Sequence, residues 1–295
     1  MNDQKLATFL AVLAALFYAC MSIMAKYATA SQSNFTITLF RFLVSLILLL
    51  PAMRKEDFKQ LKTNRYLCHL IRGLTGVGAL FCLFYALKYI PVVNALLLNA
   101  TFPIFTALIY KFYKKVKTSK AYWFFIGLSF FGVILALHPK IDHLFNHVSI
   151  IALSAGLLTA WSLVAQKELT RTESSKTITF YFFFISILCA LPLTLLTWQN
   201  LSSITLLTLI AVGIFGALYQ MTAIIAYKKA SARYIAGLMY LNILFGGLLD
   251  WVLFGQAPSA LTMVGLILVV FASIMLSRCS STPPTQNISG TKVIA

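Results

Sequence analysis

RGLTGVGALFCLFYALK, residues Arg72 to Lys88, returns 140 positions later as VGIFGALYQMTAIIAYK, residues Val212 to Lys228. At that offset Gly73 falls on Gly213, Gly76 on Gly216, Ala86 on Ala226 and Lys88 on Lys228. Each copy is apolar and near the length that crosses a bilayer as a helix, at about 1.5 Å of rise per residue. The reading is a duplicated membrane helix, and the flanking sequence extends it. The same offset sets Asn94–Ala95 against Tyr234–Ile235 and Thr101–Phe105 against Leu241–Phe245, and the run ending in Lys26 resembles the one ending in Lys167.

Composition agrees. The chain is 60% hydrophobic and 11% charged, with a mean hydropathy of +0.87, which leaves too little charge to cover a water-soluble domain of this size. The net charge of +17 does not point to nucleic acid, because the basic residues lie in short clusters between apolar runs rather than on one face. Cys20, Cys68, Cys82, Cys189 and Cys279 show neither a CxxC step nor metal-ligand spacing, so they read as small buried hydrophobes.

Ten apolar runs can be marked, at about 6–26, 35–53, 67–87, 91–110, 121–138, 148–167, 177–197, 204–227, 234–254 and 259–277. A spanning backbone must satisfy its polar groups internally, and the runs lack the two-residue alternation of a barrel, so ten transmembrane helices are expected. The first run is too long for a signal-peptide core and is read as a retained helix. Nineteen lysines and arginines fall between runs on the side that holds the N-terminus, against Lys26, Lys88 and Lys140 on the other. This asymmetry predicts both termini in the cytoplasm. Five spans per copy is an odd number, so the second copy enters from the opposite side. The expected fold is an all-α polytopic membrane protein, a 5+5 inverted-topology repeat with halves at 1–140 and 148–278 and a disordered tail at 279–295.

In the order of its motifs the chain resembles the EamA-type ten-helix members of the drug/metabolite transporter superfamily. FRFLVSLILLLP (Phe40 to Pro51), the long run from Arg72 to Ile109, Gly127 and Gly132, AWSLVAQK (Ala160 to Lys167), ASARYIAGLMYLNILFGGLL and FGQAPSALTMVGLILV carry the resemblance over nearly the whole length. It implies a secondary carrier without an ATPase domain, and no Walker A motif is present. Many members carry a glutamate just after the fourth and ninth helices. Here those places fall near Lys114 and at Gln256, which puts a role for such carboxylates in doubt.

Ionisable groups within the runs are costly and therefore informative. Arg41 and Asp250 sit at similar depths, about 9 and 6 Å from the outer end by helical rise, which permits an ion pair at an outer vestibule; snorkelling of each to the interface is the alternative. Arg72, about 7 Å from the inner face, either snorkels to lipid phosphate or draws an anionic solute to the inner mouth. Asn99, Thr101, Trp161, Gln220, Tyr240 and Asn242 lie near span midpoints. They are read together as a substrate site between the third, fourth, eighth and ninth spans, flanked by the first and sixth, with Tyr18 a weaker candidate; interhelical glue is the competing role of each alone. Pro103 interrupts the fourth run and frees a carbonyl near Asn99, as a hinge or a ligand contact. His143 and His147 stand four apart in the central loop, a weak metal signal.

No catalytic constellation, cofactor motif or metal site is evident. The expected partners are a small-molecule solute and the lipid bilayer, with no nucleic acid; a coupling proton and an exchanged solute both remain open, as do monomer and homodimer. The expected function is secondary-active transport of a small metabolite across the inner membrane by alternating access. The resemblance implies cargo such as an amino-acid derivative, a vitamin or a nucleoside-type metabolite such as S-adenosylmethionine. The alternatives are a non-transporting scaffold or membrane-embedded enzyme and, within transport, an exporter of amino acids or drugs against an importer or exchanger of anionic or nucleoside-type metabolites.

Overall fold

Where the chain enters an apolar run it repeatedly does so on a serine. In the computed structural model, which describes residues 3–59, 61–112, 120–137, 147–230, 235, 238–255 and 259–279, the hydroxyls of Ser33, Ser174, Ser202 and Ser259 accept from the backbone N–H of Thr36, Thr177, Thr205 and Thr262 at 3.1–3.2 Å. Each satisfies one of the N–H groups that a helix start leaves without an internal partner.

Helix is the only regular structure among the described residues. The order is α1 (Asp3–Ala28), α2 (Asn34–Leu49), a 3-10 turn (Leu50–Ala52), a short α3 (Lys55–Lys59), α4 (Tyr66–Tyr89), α5 (Val92–Asn99), α6 (Phe102–Phe112) and α7 (Lys120–Leu137). The second half follows as α8 (His147–Leu169), α9 (Ser175–Leu196), α10 (Ser203–Lys229), α11 (Leu241–Phe254) and α12 (Ala260–Cys279). By length and composition α1, α2, α4, α8, α9 and α10 are able to cross a membrane, and the other apolar helices are shorter. Bulky apolar side chains such as Phe124, Leu196, Ile204 and Val252 point outward. In water such a surface would be an aggregation hazard; in a multi-pass membrane protein it faces lipid.

The two halves interleave. α1 packs chiefly on α10, and its counterpart α8 packs chiefly on α4, the counterpart of α10. The same exchange relates α2 against α10 to α9 against α4, while α2 packs on α9 and α7 on α12, each helix on its own counterpart. α9 runs opposite to α2: Ser33 at the start of α2 bonds Thr197 beyond the end of α9 at 3.0 Å, and Lys176 at the start of α9 reaches the carbonyl of Ala52 beyond the end of α2 at 2.8 Å. This is a 5+5 inverted repeat.

The glycines of the repeated helix set the close approach. A Cβ on Gly73 would lie 2.4 Å from Ile185 Cγ2, and one on Gly213 would lie 2.4 Å from Val44 Cβ. Both backbones therefore need hydrogen at these positions, as small-residue packing in membranes allows. Val44 and Ile185 are themselves counterparts, in TITLFRFLVS (Thr36 to Ser45) and TITFYFFFIS (Thr177 to Ser186), 141 residues apart.

The fourth apolar run is two helices rather than one. Residue 103 is proline and has no N–H to give the carbonyl of Asn99, so α5 ends there and α6 starts at Phe102 with Pro103 in its first turn. The second half shows a matching feature, since Tyr240 stands as a turn residue before α11. His138, Asp142 and His143, the Lys114 and Gln256 positions, and residues 280–295 of the tail lie outside the described residues.

Candidate functional site

The repeat offset brings a narrow polar cavity of about 70 Å³ to the middle of the molecule, room for on the order of five waters. From the first half it is lined by Tyr18 of α1, Arg41 of α2, Arg72 and Gly76 of α4, and Asn99 at the end of α5. The second half contributes Thr159, Ser162 and Gln166 of α8, Phe182 of α9, and Tyr219, Gln220 and Tyr227 of α10. No Asp or Glu is among these residues.

Asn99 is the polar pivot. Its Nδ2 donates to Tyr18 Oη at 3.2 Å, and its Oδ1 accepts from Thr159 Oγ1 at 3.0 Å. Tyr18 and Thr159 are counterparts in the runs that end in Lys26 and Lys167, so one amide joins the same position of both halves. Gln220, also buried, shares the cavity wall.

The two arginines are the charged groups of this wall, 2% and 5% exposed for Arg41 and Arg72. Arg41 lies over the ring of Phe42 at 4.3 Å and near Phe183 at 5.6 Å. Its Nη2 makes one long contact of 3.4 Å to the Gly216 carbonyl, and its Nε and Nη1 have no hydrogen-bond partner. Arg72 stacks 3.8 Å from the centroid of Phe182, donates through Nη1 to Ser162, and leaves Nε without a partner. Cation–π contact offsets only part of what water would supply. Arg72 therefore does not snorkel to the interface, as the sequence allowed; it turns inward onto Phe182 and Ser162.

Arg41 and Asp250, whose similar depths permit an ion pair, do not meet, because Asp250 is held by other partners. Asp250 is fully buried, accepts from Lys26 Nζ at 2.9 Å through Oδ1, and from the backbone N–H of Val92 at 3.0 Å through Oδ2. It thereby ties α11 to the end of α1 and to the start of α5, where an anion meets unsatisfied N–H groups. Similar depth says nothing of direction around a helix axis, and Asp250 faces Lys26.

Trp161, Tyr240, Asn242 and Thr101 are likewise outside the cavity wall. Trp161, like Phe102 and Phe105, packs against the cluster of Ile109, Ala160 and Val164, while the next residue, Ser162, faces the cavity. Tyr240 donates to the Ala100 carbonyl at 2.9 Å and stacks on Phe102. Thr101 donates to the Leu98 carbonyl at 2.8 Å, beside Gly156 of α8. The buried Oδ1 of Asn242 has no partner. α11 thus contributes no wall residue, whereas α1 and α8, expected as flanks, line the cavity directly.

Sequence reasoning missed Tyr219, Tyr227, Thr159, Ser162, Gln166 and Phe182. The signal for Phe182 was available: the alignment of TITLFRFLVS with TITFYFFFIS makes it the counterpart of Arg41. A Cβ on Gly76 would strike Phe182, and one on Gly216 would press on Arg41.

Two further features lie at the ends. A recess of about 400 Å³, lined by Thr29, Gln32, Asn34, Tyr85, Lys88 and Gln199, occupies the end opposite the N-terminus. Phe84 lines this recess and the adjacent Leu83 lines the central cavity. At the basic end, α3, Arg65 and the first turn of α4 are strapped to the end of α8, the start of α9 and the turn between them. His69 Nε2 meets Glu173 at 2.6 Å, Lys176 meets Asp57 at 2.7 Å, and Arg65 reaches the Glu168 carbonyl at 2.8 Å.

An inverted helical repeat folded around a polar centre and coated in apolar side chains defines a multi-pass membrane protein of the duplicated transporter class. The chain belongs to the EamA-like transporter family, which matches it twice, at residues 5–138 and 148–278. It is 27% identical over 278 residues to the pseudopaline exporter CntI of Pseudomonas aeruginosa, covering 93% of this chain and 96% of that protein. It is 25% identical to an S-adenosylmethionine uptake transporter of Rickettsia felis, with 86% of each chain covered, and 26% identical to a riboflavin transporter of Brucella anthropi, covering 90% and 95%. A solved structure at 20% identity shares the fold with a TM-score of 0.71, over 92% of this chain and 97% of that one.

Proposed function

We propose that the protein is a secondary carrier that moves a small metabolite across the inner membrane by alternating access, with both termini in the cytoplasm. The observation that carries this reading is the central cavity, whose polar groups come from both halves and are joined through Asn99 to counterpart residues Tyr18 and Thr159. A site shared by two inverted halves near the midplane is what rocking of one half against the other exposes in turn.

The substrate-contacting residues in this reading are Asn99, Gln220, Arg41, Arg72 and the cavity tyrosines. Thr101, Tyr240 and Pro103 act at the break between α5 and α6, where backbone geometry is free to change. Leu83 lines the cavity and the adjacent Phe84 lines the recess at the outer end, so opening outward involves this part of α4, and the strap around Glu173 must release for exchange at the basic end. A cavity well below the ~300–1,000 Å³ of small-molecule sites widens when a metabolite enters.

The relatives support metabolite cargo of several kinds: one exports pseudopaline, others take up S-adenosylmethionine or carry riboflavin. The test is counterflow in proteoliposomes of the purified chain preloaded with single metabolites from each class. Accumulation of labelled solute that Asn99→Ala abolishes supports the reading. Vesicles that exchange no member of the panel, in either orientation, count against it.

A further inference from the structure

We propose that the cavity is an oxyanion site, and that the transported solute carries a carboxylate held between Arg41 and Arg72; this rests on the carrier reading above. Both guanidinium carbons, from α2 and α4 of the first half, lie within 6.0 Å of the centroid of one ring of the second half, Phe182. Both side chains are more than nine-tenths buried, and three of their N–H-bearing nitrogens, Arg41 Nε, Arg41 Nη1 and Arg72 Nε, have no acceptor.

The balance of charge carries the argument. Two buried cations without a counter-ion are among the most costly arrangements a membrane protein holds. Every ion pair found among the described residues uses other cations, namely Lys26, His69, Arg171 and Lys176. The nearest groups to the arginines are rings, the Ser162 hydroxyl and one carbonyl. None of these neutralises a charge. A guanidinium offers a carboxylate strong, charge-assisted donors, and Arg41 Nε, Arg41 Nη1 and Arg72 Nε are such donors left open here.

Asymmetry points the same way. The counterpart of Arg41 in the second half is Phe182, so the repeat itself does not require a cation at this place. Phe182 shows that a ring packs against the paired glycine equally well, in contact with Gly76 as Arg41 is with Gly216. The charge at Arg41 is therefore a departure from what packing alone asks. Tyr18, Tyr219 and Tyr227 then surround the remainder of the solute with apolar faces and hydroxyl tips.

The experiment compares matched solutes on the unmutated, full-length protein in detergent. Nicotinate with nicotinamide, and phenylalanine with phenylalaninamide, are titrated against the thermal unfolding midpoint, and each is then offered in counterflow. The expected result is stabilisation and exchange by a carboxylate with its amide weaker by roughly thirtyfold or more, as for loss of one partner of a buried charged hydrogen bond. Arg41→Gln and Arg72→Gln abolish that preference, and Arg41→Lys retains charge but loses most of it. Carriage of amides or cations as well as carboxylates, or a preference that survives both Gln variants, overturns the oxyanion site and leaves the carrier standing. Failure of a wider panel of neutral, cationic and anionic metabolites to exchange overturns both.

Discussion

The hydroxyl of Tyr240 donates to the carbonyl of Ala100 across 2.9 Å, and the two residues are 140 positions apart, the offset of the sequence repeat. Counterparts that touch each other sit at the axis relating the halves, and both stand at a break in their helix. The bond satisfies a carbonyl beside the break, where helical bonding is interrupted.

Tyr240→Phe removes that bond and keeps the ring on Phe102. The expected cost is about 1 kcal/mol of stability, with a several-fold change in counterflow rate if the break moves during transport. Thermal unfolding in detergent and initial exchange rates check the two effects separately.

Asp250→Asn removes the carboxylate that Lys26 meets at the opposite end from the strap. Lys26 is partly exposed, 14% at its side chain, so the loss is expected below the 3–5 kcal/mol of a fully buried pair, at about 1–3 kcal/mol. A double-mutant cycle with Lys26→Met should show clear coupling, whereas a cycle of Asp250→Asn with Arg41→Met should be additive. Strong coupling in the second cycle would contradict the geometry described here.

Gly73→Ala and Gly213→Ala each place a methyl within 2.4 Å of a neighbouring side chain. Each is expected to destabilise by about 1–3 kcal/mol as overpacking does. Gly127→Ala meets nothing within 4 Å and is expected to be neutral or to stabilise α7 by up to about 1 kcal/mol through helix propensity. Melting midpoints of the three variants, measured side by side, decide the matter.

The strap predicts a response to acid. Asp57 accepts from Lys176 Nζ and from the backbone N–H of Arg54, and these bonds hold its carboxyl below the ordinary value of 3.8. A depressed carboxylate contributes stability above its unfolded value and loses it as pH falls through the folded one. The Asp57→Asn protein should therefore lose less in melting midpoint than the parent between pH 7 and pH 3, by about this single carboxylate's share.

Much of the fold was legible because its physics is periodic. Helix length and the Gly73/Gly213 register repeat along the chain, and the apolar helices lie along the apolar runs, the fourth run holding two. The site was less legible, because a polar residue at mid-depth has a direction that depth does not reveal. Trp161 and Ser162 differ by one position, about 100° of helix rotation, and only Ser162 reaches the cavity. Lys26 was counted as a loop cation, so its claim on Asp250 went unseen. Pro103 marks the place where helical bonding fails; that α8 approaches this break so closely that a Cβ on Gly156 would lie 3.1 Å from the carbonyls of Leu98 and Asn99 is a tertiary fact no local pattern reveals.

The interleaving of α1 with α10 and of α4 with α8 has a bearing on biogenesis. As the chain leaves the ribosome, the opening spans arrive before the surfaces they ultimately embrace have been synthesised. Arg41 and Arg72 then wait in the membrane without Phe182, Ser162 or the Gly216 carbonyl beside them, so the nascent first half is an orphan that the translocon or surrounding lipid must shelter until the second is inserted.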